Sequence, residues 1–105
     1  MQKPYMNDLD LLQDYARSGS QSAFTRLVER HLPLVWSTAR RQVGDAHLAE
    51  DIAQQVFSLL AQKAADLSAE VILSGWLYRT TTHVAARVLR GEQRRETVNR
   101  KPFSP

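Results

Sequence analysis

The 105-residue chain has no cysteine, only four glycines and four prolines, and no long apolar segment. Without cysteine it has no disulfide bridge, thiolate metal site or cysteine nucleophile. So little glycine and proline argues against a loop-rich β-sandwich and against a disordered tail protein. No apolar run approaches the ~20 residues that cross a bilayer, and residues 1–14 lack the basic and then apolar order of a secretory signal. We therefore expect no membrane span and a reduced, cytoplasmic compartment.

The residue patterns of most enzymes and metal sites are also absent from the sequence. There is no glycine-rich phosphate loop and no nucleophile elbow. Glu50 and Asp51 are adjacent, so on a helix they point about 100° apart and make a poor acid/base pair. His31 and His47 have no partner at metal-ligand spacing. We expect no enzymatic activity, no cofactor and no metal.

Positive charge is concentrated in the last third of the chain. The net charge is +3, from 14 basic and 11 acidic residues. From residue 76 onward there are seven basic and two acidic residues, so this part carries +5 and the part before it carries −2. Such asymmetry indicates a polyanionic partner, although it is equally compatible with a solvated basic end.

Almost all of the sequence shows helical periodicity. A first helix is expected from Asn7, a favourable N-cap, to Gly19, with Leu9, Leu12 and Ala16 on its apolar face. A second is expected from Ser20 or Ser22 to Gly44, with Pro33 kinking it or breaking its hydrogen-bond ladder. Its predicted apolar stripe contains Phe24, Leu27, Val28, Leu32, Val35, Ala39 and Val43.

The third segment, after the potential cap Asp45, has the clearest two-sided pattern. Its predicted buried side contains Ala49, Ile52, Ala53, Val56, Phe57 and Leu60. Its predicted exposed side contains Glu50, Asp51, Gln54, Gln55, Ser58 and Gln62. No segment alternates as a half-buried strand does, so we predict an all-α, compact bundle of about four helices.

The fourth helix is expected to start within residues 71–74, after a connector, and to end near Arg95. On a helical wheel with Leu77 at zero, four apolar residues fall within about 40° and form a core face: Leu73, Leu77, Val84 and Val88. A basic stripe about 80° wide falls at roughly 200–280°. It contains Arg79, His83, Arg87, Arg90 and Arg94, with Trp76 inside it. Aligned guanidinium groups bind phosphates, and an aromatic beside them can stack on an unpaired base. A solvated basic face with Trp76 in the core is the alternative.

Three segments in this order resemble region two of the extracytoplasmic-function (ECF) sigma factors, the promoter-melting domain. They are AFTRLVERHLPLVWSTARR (residues 23–41), DAHLAEDIAQQVF (residues 45–57) and SGWLYRTTTHVAARVLR (residues 74–90). The resemblance covers about residues 20–95. It implies a sigma region-two-like fold, which divides the chain into an N-terminal helix (1–19), the region-two domain (20–96) and a C-terminal tail or linker (97–105).

The resemblance also implies two partners. The helix over residues 46–62 would dock on the clamp helices of the β′ subunit of core RNA polymerase, through Asp51 and Gln54 with Glu50, Gln55 and Ser58 around them. Carboxylates and amides on such a face suit the arginines of a partner helix. The competing interpretation is that Glu50 and Asp51 only complement the helix N-terminus.

The fourth helix would recognise and melt the single-stranded minus-ten element of promoter DNA. The implied DNA-binding residues are Trp76, Tyr78, Arg79, His83, Arg87, Arg90 and Arg94. The loop before this helix would hold a flipped base, with Asp66, Leu67, Ser68 and Leu73 as candidates. His83 is a departure, because the family often has asparagine there.

The chain also departs from the family in length, since no helix-turn-helix domain follows Glu96. We therefore expect an isolated domain that does not select promoters fully. The alternative function is a helical protein-interaction module, bound by an anti-sigma factor or forming a homodimer, without DNA melting.

Overall fold

The computed structural model describes residues 6–67 and 70–100, and for residues 92–100 it describes the backbone alone. Within these ranges it contains four α-helices and no strand: α1 (Asp8–Ser18), α2 (Gln21–Val43), α3 (Ala46–Lys63) and α4 (Leu73–Arg100). The predicted all-α bundle of four helices is confirmed. None of the described helices is both long and apolar enough to cross a membrane.

Side-chain caps set the N-termini of the first three helices, and glycines set the C-termini of α1 and α2. Asn7, Ser20 and Asp45 each accept a hydrogen bond from the backbone N–H three residues later, at 2.8, 3.2 and 3.1 Å. Gly19 and Gly44 end α1 and α2 with φ of 69°, in the left-handed region that glycine adopts without strain. These are the caps that the sequence predicts.

α2 is the helix around which the others pack, since it contacts α1, α3 and α4. α3 and α4 also contact each other, so α4 rests on two helices at once. Fully buried large side chains from all four helices meet between them: Leu11, Leu27, Val35, Ile52, Val56, Leu60, Leu77 and Val84. A hydrogen bond from Gln42 Nε2 to Thr82 Oγ1, at 3.1 Å, joins α2 to α4 at the edge of this core.

The predicted buried face of α3 is confirmed at every position, whereas those of α1 and α2 need correction. In α1 the buried pair is Leu11 and Leu12, and Ala16 is exposed. In α2, Leu32 is 40% exposed, and His31 and Thr38 are buried. His31 is buried beside Asp8 of α1, and Thr38 is buried without a hydrogen-bond partner for its hydroxyl among the described residues. Hydrophobic periodicity predicts neither, because burying a polar group is costly in itself.

Pro33 does not divide α2 into two helices. It lies on the exposed side. There the carbonyl of Glu29, which loses its helical donor, can bond to water.

α4 begins at Leu73, within the predicted range, but it continues to Arg100 instead of ending near Arg95. The polar residues after Arg90 include no proline, and the first strong stop signal is Pro102. The predicted tail over 97–105 is therefore helical as far as Arg100.

A polar cluster of Asp8, Arg30 and His31 links α1 to α2. Arg30 Nη1 donates to Asp8 Oδ1 at 2.9 Å, and His31 Nε2 lies 2.9 Å from Asp8 Oδ2. Arg30 also donates to the carbonyl of Met6 at 3.0 Å. Partial burial raises the pKa of Asp8, but the contacts with His31 and Arg30 outweigh it and hold that pKa below its ordinary value.

We expect Asp8→Asn to lower the free energy of unfolding at pH 7 by about 1 kcal/mol or less, because the pair is partly exposed. Since the pKa of Asp8 is lower in the folded state, its charge stabilises the fold above the unfolded pKa, and this stabilisation disappears as the pH falls below about 4. Urea denaturation followed by circular dichroism at pH 7 and pH 3 measures both effects.

Asp10→Asn is the matched control, since Asp10 also lies in the first turn of α1 but forms no ion pair among the described residues. Both variants lose the same favourable charge at the helix N-terminus. An equal loss of stability in the two variants would contradict a specific role for the Asp8 cluster.

Candidate protein and nucleic-acid interfaces

The polar face of α3 is exposed as the sequence predicts. Its N-terminus is fixed by Asp45, whose pKa is lowered by the hydrogen bond that its carboxylate accepts from the backbone N–H of Leu48. The opposite face of the helix is buried from Ala49 to Leu60. All five predicted polymerase-binding residues are exposed: Glu50, Asp51, Gln54, Gln55 and Ser58.

Three side chains of this face have no bonding partner within the described part of the chain. Within residues 6–67 and 70–91, Asp51, Gln54 and Gln55 form no hydrogen bond or ion pair. A carboxylate and two amides that are free in this way can all bond to a partner without first breaking an internal bond. The face is therefore available as a binding surface.

The basic stripe of α4 is also exposed. Arg79, His83, Arg87 and Arg90 point to solvent, while Leu77, Thr81, Val84 and Ala85 are buried on the other side of the helix. The Thr81 hydroxyl is satisfied inside the helix by donating to the carbonyl of Leu77 at 2.7 Å. The side chain of Arg94 lies outside the described residues. The predicted separation of a core face and a cationic face is thus present.

Trp76 and Tyr78 have different environments. Tyr78 is 50% exposed, as a stacking residue requires. Trp76 is partly buried and packs against the core, so its position on the helical wheel among the arginines overstated its exposure. An indole is large enough to cover core residues and still present one edge to solvent. Tyr78 therefore has a largely accessible ring, whereas the indole of Trp76 is accessible only in part.

The connector between α3 and α4 differs from the predicted base-binding loop in one respect. Asp66 is exposed, Leu67 packs partly on the core, and Ser68 lies outside the described residues. Leu73 is the first residue of α4 and only 4% exposed, so its side chain belongs to the core and is not available to a base. This corrects its predicted place in the loop.

Sequence reasoning missed Ile72, which is 75% exposed at the residue before α4. The backbone carbonyl of Ile72 accepts a hydrogen bond from the backbone N–H of Trp76 at 3.1 Å, so Ile72 lies one helical turn before Trp76. A single apolar residue in a connector of weak periodicity gives no signal of its own. Exposed one turn before Trp76 and on the same side of α4, it extends the apolar surface at the start of that helix.

Two grooves border the exposed face of α3. The first, of about 770 Å³, lies against α1 and α2 and is lined by the aromatic rings of Tyr15, Phe24, Trp36 and Phe57. Glu50, Gln54 and Ser58 form part of its wall. The second, of about 530 Å³, is polar and lies between α3 and α4.

Among the described residues, no group of histidine, aspartate and glutamate side chains is placed to bind a metal.

The chain belongs to the sigma-70 region 2 family, whose model matches residues 27–95. A curated relative, the ECF RNA polymerase sigma factor SigW of Bacillus subtilis (strain 168), is 31% identical over 68 residues, which are 65% of this chain and 36% of the relative. The chain thus spans about a third of the length of that relative.

A solved structure also resembles the fold. It is the NMR structure of the complex formed by an engineered region 2 of sigmaE with GTAAAA, with 26% sequence identity and a TM-score of 0.79. The match covers 90% of this chain and 97% of that chain. The predicted resemblance to sigma region two is confirmed.

We expect Asp51→Ala and Gln54→Ala to leave the free energy of unfolding unchanged within about 0.5 kcal/mol, because neither side chain has an internal partner among the described residues. Leu60→Ala, on the opposite face of the same helix, should cost about 2–5 kcal/mol because it empties a fully buried site. Chemical denaturation of the three variants measures the contrast. A cost above 1 kcal/mol for Asp51→Ala would show that the face has a structural task.

Proposed function

We propose that this domain acts in transcription initiation, binding core RNA polymerase through α3 and recognising and melting the minus-ten element of the promoter through α4. The observation that carries the proposal is the pairing of two exposed faces on adjoining helices. One is a polar face whose Asp51, Gln54 and Gln55 have no partner among the described residues, and the other is a basic stripe on the same side of α4 as Ile72 and Trp76. Membership of the sigma-70 region 2 family supports the same assignment.

The polymerase contact is assigned to Asp51 and Gln54, with Glu50, Gln55 and Ser58 around them. A basic side chain on the β′ clamp helices would donate its N–H groups to the free carboxylate of Asp51 in charge-assisted bonds. N-terminal charge complementation explains acidic residues near the start of α3, but not the glutamines on the same face. A partner surface accounts for both.

The DNA contact is assigned to Arg79, His83 and Arg90, with Ile72, Tyr78 and the partly exposed Trp76 as the apolar part. The solved structure of an engineered region 2 of sigmaE has a comparable fold and is a complex with GTAAAA, a sequence that cannot pair with itself, which supports a single strand as the ligand. Separating the strands costs a few kcal/mol per flipped base. Stacking on an aromatic ring returns about 1–3 kcal/mol per base, so binding to the open strand can offset the cost of opening it.

A second candidate function, protein binding without DNA contact, is favoured by the aromatic groove beside α3. An open groove lined by Tyr15, Phe24 and Trp36 suits an apolar helix face, such as that of an anti-sigma factor or a second copy of this chain. The two functions differ in one property. A pure interaction module shows no preference for single-stranded over duplex DNA.

The polymerase contact is tested with a fragment carrying the β′ clamp helices. We expect the chain to bind it, and Asp51→Ala to weaken binding by about tenfold, since each charge-assisted bond at an interface contributes on this scale. Isothermal titration calorimetry measures both affinities. Asp14→Ala, which removes a carboxylate from α1 instead, is the control. Equal binding by wild type and Asp51→Ala would contradict the assignment.

The DNA contact is tested by fluorescence anisotropy with a single-stranded oligonucleotide containing GTAAAA and with its duplex. We expect tighter binding to the single strand, and a weaker, less salt-dependent complex with Arg79→Ala or Arg90→Ala. Losing one phosphate contact lowers the slope of log K against log salt by about 0.7. Arg26→Ala, on an exposed site of α2, controls for the loss of one positive charge. An equal effect in Arg26→Ala would show that only net charge matters.

A further inference from the structure

One arginine of the basic stripe lies in a different place from the others. Arg87 lines the polar groove between α3 and α4, and it is the residue that α4 contributes to that groove. The remaining lining residues come from α3: Asp51, Gln54, Gln55, Ser58, Leu59 and Gln62. Arg79, His83 and Arg90 do not line it. The stripe therefore divides between two surfaces.

The packing of α4 explains this division. The helix has α2 on one side, where Thr82 bonds to Gln42, and α3 on the other. On a wheel with Leu77 at zero, Thr82 falls at about 140° and Arg87 at about 280°, whereas Arg79 falls at about 200°, between them. Arg87 is thus at the edge of the stripe that meets α3, and Arg79 faces away from both neighbouring helices.

The charges of the groove do not suit a nucleic-acid strand. Asp51 and Arg87 line the same space, and neither forms an ion pair or a hydrogen bond with any residue of the described part. Three glutamines lie among them, which can donate or accept. A backbone of phosphates is negative throughout and is repelled by Asp51. A protein surface can present both a basic and an acidic group.

We propose that Arg87 belongs to the protein-binding surface of α3 and not to the DNA-binding surface of α4. The partner that it fits is a helix carrying a carboxylate that meets Arg87 and a basic side chain that meets Asp51. The polar groove is continuous with the α3 face already assigned to polymerase, so the occupant is the same coiled coil. This inference rests on the proposed function and extends its protein contact onto α4.

The test compares Arg87→Ala with Arg90→Ala in two assays: binding of the β′ clamp-helix fragment by calorimetry, and binding of the GTAAAA single strand by anisotropy across salt concentrations. Both residues are exposed arginines of the same helix, so the variants are matched in charge and in fold. We expect Arg87→Ala to weaken fragment binding about tenfold and to leave the salt slope of DNA binding unchanged. Arg90→Ala should do the reverse.

The outcomes separate the inference from the function on which it rests. If wild type binds the fragment and Arg87→Ala binds it equally well, the inference is overturned and the polymerase contact through Asp51 stands. If Arg87→Ala lowers the DNA salt slope as Arg90→Ala does, Arg87 is a phosphate contact and the inference is again overturned. If wild type does not bind the fragment, the proposed polymerase contact fails, and the inference fails with it.

Discussion

The rotational setting of α4 is the constraint on which both candidate surfaces depend. Leu77, Thr81, Val84 and Ala85 are buried against α2 and α3, and this fixes which residues of the helix reach solvent. A polar threonine is tolerated in that face because its hydroxyl bonds to the helix's own backbone. Turning α4 by one residue toward the α3 side would bring Arg87 into the core and move Leu77 out of it. The cost of an unpaired buried charge makes that rotation prohibitive.

The sequence predicted α3 completely and α2 only in part, and the reason lies in what each helix buries. The six buried side chains of α3 are all apolar, so the period of 3.6 residues identifies them without knowledge of the fold. α2 buries His31 beside Asp8 of another helix. That contact depends on tertiary structure, so Leu32 appeared to be the better core residue.

The candidate site shows the same division between local and tertiary information. Exposure of Arg79, His83 and Arg90 follows from the period of one helix, and the wheel predicted it. The positions of Trp76 and Arg87 do not follow, because both lie near the edge of the stripe that meets α3. The packing of the four helices decides which neighbour lies beside that edge. The periodicity of a single helix does not predict it.

Because α3 and α4 adjoin each other, the proposed binding of a partner and the proposed opening of DNA are coupled in space. Phosphate contacts hold a strand at any sequence, so the basic stripe alone supplies affinity without opening the duplex. Opening the duplex requires that the protein bind the single strand more tightly than it binds the duplex. Only protein groups that contact unstacked bases provide this difference in binding free energy. Ile72 and Tyr78, which are exposed, and Trp76, which is partly exposed, are the residues at the start of α4 that could meet such bases. A helix held by two neighbours keeps them at a fixed position relative to the exposed face of α3, so a partner bound there would also fix where the strand is opened.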